Sequence, residues 1–382
     1  MKSASFAAVL AMFAAVSFVA QAQVKIGVVS SATGPTAFVG MPQKNSVALL
    51  PTKVGETTIE YIALDDASDP TQSVSSVKKL LAEQKIDALI GPSGSPNAMG
   101  VVEVMAEAQT PMLAPVGTTA VVLPMDAKKR WVFKTTQNDD IIGEALVEHM
   151  QKNGVKSVGF IGYNDPYGEA WYKTIAPMLQ KAGIQIVANE RYNRQDTSAA
   201  GQVLKIKAAS PDAVFVAGVA AGAALPQRQL VEVGYTGKIY QTHGAATDDF
   251  IRIGGKSVDG TIMAASLMLV LDQIPDSVPS KKVAVDYVTA YERMYGAKPA
   301  TFGANVYDAG LLLQRAIPEA LKKGKPGTSE FRAALRDALE STKELVATQG
   351  VYNMTPADHS GFDQRGRVLL TVKDGKWALL PN

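Results

Sequence analysis

The chain has 382 residues, enough for two ordinary domains, with Lys+Arg 38 against Asp+Glu 36 and a formal net charge of +2. That near balance gives no support for a nucleic-acid surface, and 47% hydrophobic with 19% charged residues fits a soluble globular chain, not a disordered one. Cysteine is absent, which excludes a disulfide framework, a thiolate metal site and a cysteine nucleophile.

Residues 1–22 read as a secretory signal peptide. Lys2 gives a positive start, residues 6–20 are almost unbroken apolar sequence, and Ala20-Gln21-Ala22 is a small-residue cleavage site that sets the mature start at Gln23. The apolar run is about 15 residues, short of the roughly 20 that a spanning helix needs. Residues 24–29 then predict a strand that ends in the small-residue loop Ser30-Ser31-Ala32-Thr33-Gly34-Pro35. A short helix is expected over 43–50, stopped by Pro51, and a strand over 59–64. Asp65-Asp66-Ala67-Ser68-Asp69-Pro70 turns into a helix with Val74, Val77, Leu80 and Leu81 on one face.

Residues 88–119 are the organising stretch. A strand over 88–90 runs into a Gly/Pro/Ser loop over 91–96, and Ser95 or Asn97 is placed to cap the next helix, with Pro96 in its first turn. Met99, Val102, Met105 and Ala106 give that helix an apolar face; a strand over 111–114 follows and ends in Pro115-Val116-Gly117-Thr118-Thr119. The alternation βαβαβαβ argues for a parallel sheet covered on both sides. After a strand over 131–134, Thr135-Thr136-Gln137-Asn138 reads as a crossing into a second α/β series. Its helices are expected over 139–153, 167–182, 197–208 and 221–233, and its strands over 157–161, 185–189, 213–218 and 238–242. Gly154, Gly183 and Gly234 each stop a helix. Residues 261–265 lead back to the first unit, followed by helices over 281–295, 305–321 and 329–341. A hairpin closes the chain, with strands over 367–372 and 377–380 around Asp374-Gly375.

In a parallel sheet the loops after 88–90 and 111–114 lie at the carboxyl edge, where ligands bind. Ser93, Ser95, Thr118 and Thr119, together with uncapped helix N–H groups, make that edge a seat for a small carboxylate or phosphate, although the same residue types also serve as ordinary loop and capping residues. The run Gly91-Pro92-Ser93-Gly94-Ser95 fits neither the dinucleotide fingerprint nor the P-loop. Asp65, Asp66 and Asp69 read as strand-end and capping groups, not a cation site. The three histidines have no metal-ligand spacing: His149 falls inside a helix, His359 in a polar turn, and His243 just past a strand at a carboxyl edge. With no G-x-S-x-G elbow either, an exported hydrolase has little support. Tyr167, in Asn164-Asp165-Pro166-Tyr167-Gly168, is placed at the cleft edge of the second unit.

Several pieces, each weak alone, occur in a telling order: Ile26-Gly27 with Thr33-Gly34-Pro35, then Asp65–Pro70, Ile90-Gly91, Ala114-Pro115, Lys134-Thr135-Thr136, Tyr167-Gly168-Glu169 and Gly361-Phe362-Asp363. Over nearly the whole mature chain this resembles the type I periplasmic binding proteins of ABC importers, in the leucine/isoleucine/valine-binding group. The resemblance implies two Rossmann-like α/β lobes with parallel-sheet cores, joined by a three-crossing hinge. Lobe 1 would hold residues 23–136 and 265–349, and lobe 2 residues 137–264 and 350–382. It implies a monomer in the periplasm with no cofactor, no metal, no nucleic acid and no enzymatic activity. The ligand would be a small carboxylate, passed to membrane permease and ATPase subunits. By motif position the carboxylate falls to Ser95, the backbone of Val116 and Thr118, with Phe38 and Tyr167 as aromatic neighbours.

Two departures from the group bear on the ligand. His243 stands where amino-acid binders commonly place a Glu for the ligand ammonium, and Val219 where they place a Tyr. A disulfide found in some relatives falls on Ser68 and Gly94. Asp248 and Asp249 could replace the missing Glu, but they are placed to start and cap the next helix. The small side chains of 219–224 leave space, so an acid with an apolar or aromatic body suits the cleft better than a zwitterion, with His243 free to bond a distal hydroxyl or carbonyl. A branched-chain amino acid is the other ligand class, and a ligand-sensing receptor subunit is the runner-up role.

Overall fold

The computed structural model describes residues 23–380; the signal peptide read in residues 1–22 lies outside them. The chain first builds β1 (Gln23–Ser30), α1 (Ala37–Val47), β2 (Lys53–Val54), β3 (Thr57–Asp65), α2 (Pro70–Lys79), β4 (Ala88–Ile90), α3 (Ser95–Glu107), β5 (Met112–Ala114) and β6 (Val132–Lys134). These strands form one sheet in the order β2-β3-β1-β4-β5-β6. All its pairings are parallel except β2 with β3. Strands β4 and β5 are wholly buried, as expected of a sheet covered on both faces.

The second series is α4 (Asp139–Lys152), β7 (Ser157–Tyr163), α5 (Pro166–Lys181), β8 (Gln185–Tyr192), α6 (Ala200–Ala209), β9 (Ala213–Ala217), α7 (Ala220–Glu232), β10 (Lys238–Gln241), α8 (Asp248–Gly254) and β11 (Ile262–Ala265). Then come α9 (Pro279–Tyr295), α10 (Thr301–Leu321), α11 (Ser329–Glu340), the short pair β12 (Leu345–Val346) and β13 (Val351–Tyr352), and the hairpin β14 (Val368–Lys373) with β15 (Lys376–Leu379). The second large sheet runs β15-β14-β11-β10-β9-β7-β8, with the hairpin antiparallel to β11. The two-sheet α/β fold is therefore the one expected, and the Asp374-Gly375 turn sits where it was read.

Local chemistry explains most boundaries. Asp69 caps α2 by accepting from Gln72 N at 2.9 Å, with Pro70 opening the helix. Asp65 and Asp66 serve as strand-end groups: Asp65 accepts from Ala32 N at 2.9 Å, and Asp66 from Ser73 Oγ at 2.7 Å. Helix α1 starts six residues before the expected 43, with Pro42 inside it. Its position is set by Gly40, where an added Cβ would lie 2.0 Å from the carbonyl oxygen of Ser31. At α3 the cap position falls on Gly94, so neither Ser95 nor Asn97 caps it; the amide of Asn97 donates to Asp66 and Ser73 instead.

Tertiary packing redraws the tail. Residues 351–362 do not enter the second sheet: Tyr352, Met354 and Phe362 are buried with β1, β4 and α10 in the core of the first sheet. The chain joins the second sheet only at β14. The reason is polar as well as apolar, since the Tyr352 hydroxyl donates to Thr135 O at 3.1 Å and Thr348 N donates to Asp308 at 2.9 Å. His359, expected in a polar turn, is fully buried and stacks on Phe133 with ring centroids 4.2 Å apart. Its Nδ1 lies 2.8 Å from Val132 O. It packs at the passage from β6 to α4, where Gln137 Nε2 donates to Gly366 O at 2.8 Å and Ser360 Oγ to Thr136 O at 2.9 Å. The strands that cross between the sheets are thus laced to one another.

Candidate functional site

The carboxyl ends of β1, β4 and β5 face those of β7, β9 and β10 across a cleft. A narrow cavity of about 60 Å³ lies there. The first-sheet wall is made by Thr36 and Val39 of the β1–α1 region, Ser93 to Ser95 at the start of α3, Val116 and Gly117 after β5, and Thr136. It is mostly loop backbone and small hydroxyls. Ser93 Oγ is spent on Ser31 N at 3.0 Å, and Thr136 Oγ1 donates to Val116 O at 2.6 Å. Ser95 Oγ makes no hydrogen bond to the described protein and stands in the wall.

The opposite wall carries larger groups: Tyr167 in the first turn of α5, Arg194 two residues past β8, Val219 at the start of α7, and His243 with Gly244 just past β10. Phe302 and Asn305, from the start of α10 on the first unit, complete the cavity. Tyr167 is fixed by Asp165, which accepts from its N–H at 2.8 Å, and by its hydroxyl, 2.8 Å from Thr242 Oγ1. Burial pushes its phenol above the ordinary range, so it stays protonated. Burial, reinforced by the Lys134 cation, pushes His243 down to about 3, leaving the imidazole neutral. Both ring nitrogens of His243 and the indole Nε1 of Trp171 are covered and have no partner in the described protein. The two rings sit 5.6 Å apart between centroids. A neutral imidazole offers one donor and one acceptor, so this corner can bind a hydroxyl or carbonyl.

Five of the seven sequence-selected residues meet in this cavity: Ser95, Val116, Tyr167, Val219 and His243. Two do not. Thr118 is turned away, accepting from Ala120 N at 3.3 Å and donating to Pro166 O at 3.4 Å. It caps the short turn after it instead of facing the ligand space. Phe38 lies in a neighbouring surface cavity with Thr247, Asp248, Asp249 and Lys298. Phe302 takes the aromatic place in the wall. Asp248 and Asp249 start α8 as expected, but the cap is Thr247, which accepts from Phe250 N at 3.1 Å. Neither aspartate lines the cleft.

Two sheets built in this order, facing each other across a cleft at their carboxyl ends, match the periplasmic binding protein family over residues 23–376. The chain belongs to that family. The resemblance read from its motifs is borne out. A solved extracellular ligand-binding receptor from Rhodopseudomonas palustris HaA2 is 45% identical with a TM-score of 0.91, and the match covers 94% of this chain and 100% of that one. The Leu/Ile/Val-binding protein BraC3 of Rhizobium johnstonii is 27% identical over 87% of both chains. A periplasmic binding protein type 1 from Bordetella pertussis, 24% identical with a TM-score of 0.82, has the same fold.

Sequence reading of this periplasmic binding protein missed Arg194, Phe302 and Asn305. Arg194 carried a usable signal. Strand β8 runs to Tyr192, not 189, which puts Arg194 at a carboxyl edge. Phe302 and Asn305 come from a helix more than a hundred residues away from α5 in the chain, and no local pattern places them.

Proposed function

We propose that this periplasmic binding protein, exported on the leader of residues 1–22, captures a small carboxylate with a neutral apolar or aromatic body and hands it to the permease and ATPase of an ABC importer. The observation that carries this reading is the charge of the wall. Among the described residues lining the inner cavity there is one cation, Arg194, and no carboxylate; Asp165 stands at the mouth, paired with Arg194. A ligand ammonium buried there would lack an anionic partner, at a cost of several kcal/mol. His243, at the position where amino-acid binders supply an acid, is neutral. Ser95 and the first N–H groups of α3 would seat the carboxylate, and His243 would bond a distal oxygen.

Calorimetry with benzoate and cinnamate against leucine, isoleucine and valine tests this directly. Micromolar or tighter binding of an aromatic acid, with the amino acids at least a hundred-fold weaker, is the expected result. Tight binding of isoleucine with no response to the acids would return the protein to the ligand class of BraC3.

A further inference from the structure

We propose that Arg194 is a latch across the cleft: it clamps from the second lobe the same carboxylate that Ser95 and the start of α3 hold from the first, so that closure responds to the ligand's charge. This rests on the carboxylate reading above and adds to it the residue that makes the charge matter.

Position comes first. Arg194 lines the inner cavity together with Thr36, Gly94 and Ser95. It also lines the outer mouth of the cleft, again with Thr36 and Gly94 and with Pro96 and Asn97 beyond them. It therefore stands at the threshold, opposite the first turn of α3.

The side chain is also held ready. Its Nε donates to Asp165 Oδ2 at 2.5 Å. Its guanidinium lies 4.5 Å from the centre of the Tyr163 ring and 6.0 Å from that of Tyr167. Asp165 is itself fixed, because its other oxygen accepts from Tyr167 N at 2.8 Å and Gly168 N at 3.2 Å as the cap of α5. Only one of the five guanidinium N–H donors is used by the protein; among the described residues the two terminal amino groups donate to no other protein atom. A planar fork with both prongs unused is the geometry that grips a carboxylate.

Electrostatics then give the coupling. The first turn of a helix exposes N–H groups that have no helical partner, and the helix dipole makes that end positive. Closing the cleft brings this end toward a guanidinium. Asp165 balances the guanidinium's charge, but with no anion between the walls the two free amino groups of Arg194 and the helix N–H groups face each other as unpaired donors in a space shielded from water. A carboxylate between them accepts from both sides, whereas a neutral amide of the same shape offers one acceptor oxygen and turns an NH2 donor on the other set of donors. The free energy of closure is thereby tied to the anion, and the chemical body of the ligand is left to the Tyr167, Val219 and His243 wall.

The test compares acids with their primary amides: cinnamate with cinnamamide, benzoate with benzamide, and isoleucine with isoleucinamide, by calorimetry on the wild-type protein, Arg194→Gln and Arg194→Lys. A lost charge-assisted hydrogen-bond pair corresponds to about ten- to a hundred-fold in affinity. For any acid that binds, Arg194→Gln should weaken the acid by that factor while changing the amide by less than three-fold, and Arg194→Lys should recover part of the loss. Small-angle scattering should show the wild type contracting with the acid and Arg194→Gln contracting less at matched saturation. An unchanged acid-to-amide ratio in a folded Arg194→Gln protein overturns the latch and leaves the carboxylate reading standing. Wild-type binding of amides as tight as acids overturns both. A binder of isoleucine alone that needs Arg194 supports the latch and refutes the aromatic ligand class.

Discussion

The two walls of the cleft are built on different principles. The first-lobe wall is loop backbone, serine and threonine hydroxyls and the end of α3, with most hydroxyls already engaged: Ser93 on Ser31 N and Thr136 on Val116 O. The second-lobe wall is rings and one cation, and among the described residues the ring nitrogens of His243 have no protein partner. On the proposed reading the first wall seats the anion, and ligand selectivity is expected to reside in the second. The lesson is that backbone and small hydroxyls can hold a charged group common to many ligands, whereas rings and a cation must match the rest of the ligand.

The most severe way to break this arrangement is to thicken the seat where the walls meet. A Cβ added to Gly117 would lie 2.7 Å from Tyr167 Cε2 and 3.2 Å from His243 Nε2. Tyr167 cannot swing aside cheaply, because its hydroxyl is tied to Thr242. Overpacking of this kind costs roughly 1–3 kcal/mol. Gly117→Ala should thus weaken ligand binding by on the order of ten- to a hundred-fold, with a thermal midpoint within about a degree or two of wild type, since the clash exists only between lobes. A scattering profile of the variant that closes as fully as wild type would show that the walls do not meet there.

A milder intervention separates the two hydroxyls that sequence reading treated alike. Ser95→Ala removes a hydrogen bond to a charged group, worth roughly 1.5–3 kcal/mol, and should lower affinity about ten-fold or more. Thr118→Ala removes a cap and a long hydrogen bond across the cleft to Pro166 O, so it should cost about 1 kcal/mol of stability and weaken affinity less than Ser95→Ala does. Paired calorimetry and thermal melts decide between them; equal loss of affinity in both would mean Thr118 turns toward the ligand on binding.

The smallest effect sharpens the second wall. His243 has its pKa pushed down to about 3 by burial, so the folded chain binds fewer protons there than the unfolded chain does. Its share of stability is present above the ordinary histidine value of about 6.5 and is lost as pH falls from there toward 3. Burial also raises Asp139 to about 6 and Asp308 to about 7, and these act in the opposite sense, favouring the folded chain as pH falls. The difference between wild type and His243→Gln isolates the histidine. From pH 7 to 5.5 that difference should change by on the order of 1 kcal/mol against wild type, read from urea melts. A difference that stays flat would mean the imidazole is hydrated in the unliganded protein.

Much of this could be read from the chain alone, where the physics is local. The parallel-sheet alternation, the cap at Asp69, the Asp374-Gly375 turn and the place of Ser95 at a carboxyl edge follow from periodicity, side-chain reach and backbone restriction within a few residues, while Val116 came from the family resemblance. Tertiary structure decided what local rules leave open. Thr118 was placed at the right edge by its strand, but its hydroxyl found backbone partners nearer than any ligand. Phe302 displaced Phe38 as the aromatic neighbour because α10 reaches the cleft from the far end of the chain. The tail at 351–362 joined the first core, since Tyr352 found both apolar cover and acceptors there. Sequence therefore determined the architecture and the loops that form the first wall, because these rest on short-range patterns. Only the folded chain decided which side chains face the ligand, because that depends on which distant surfaces compete for each group.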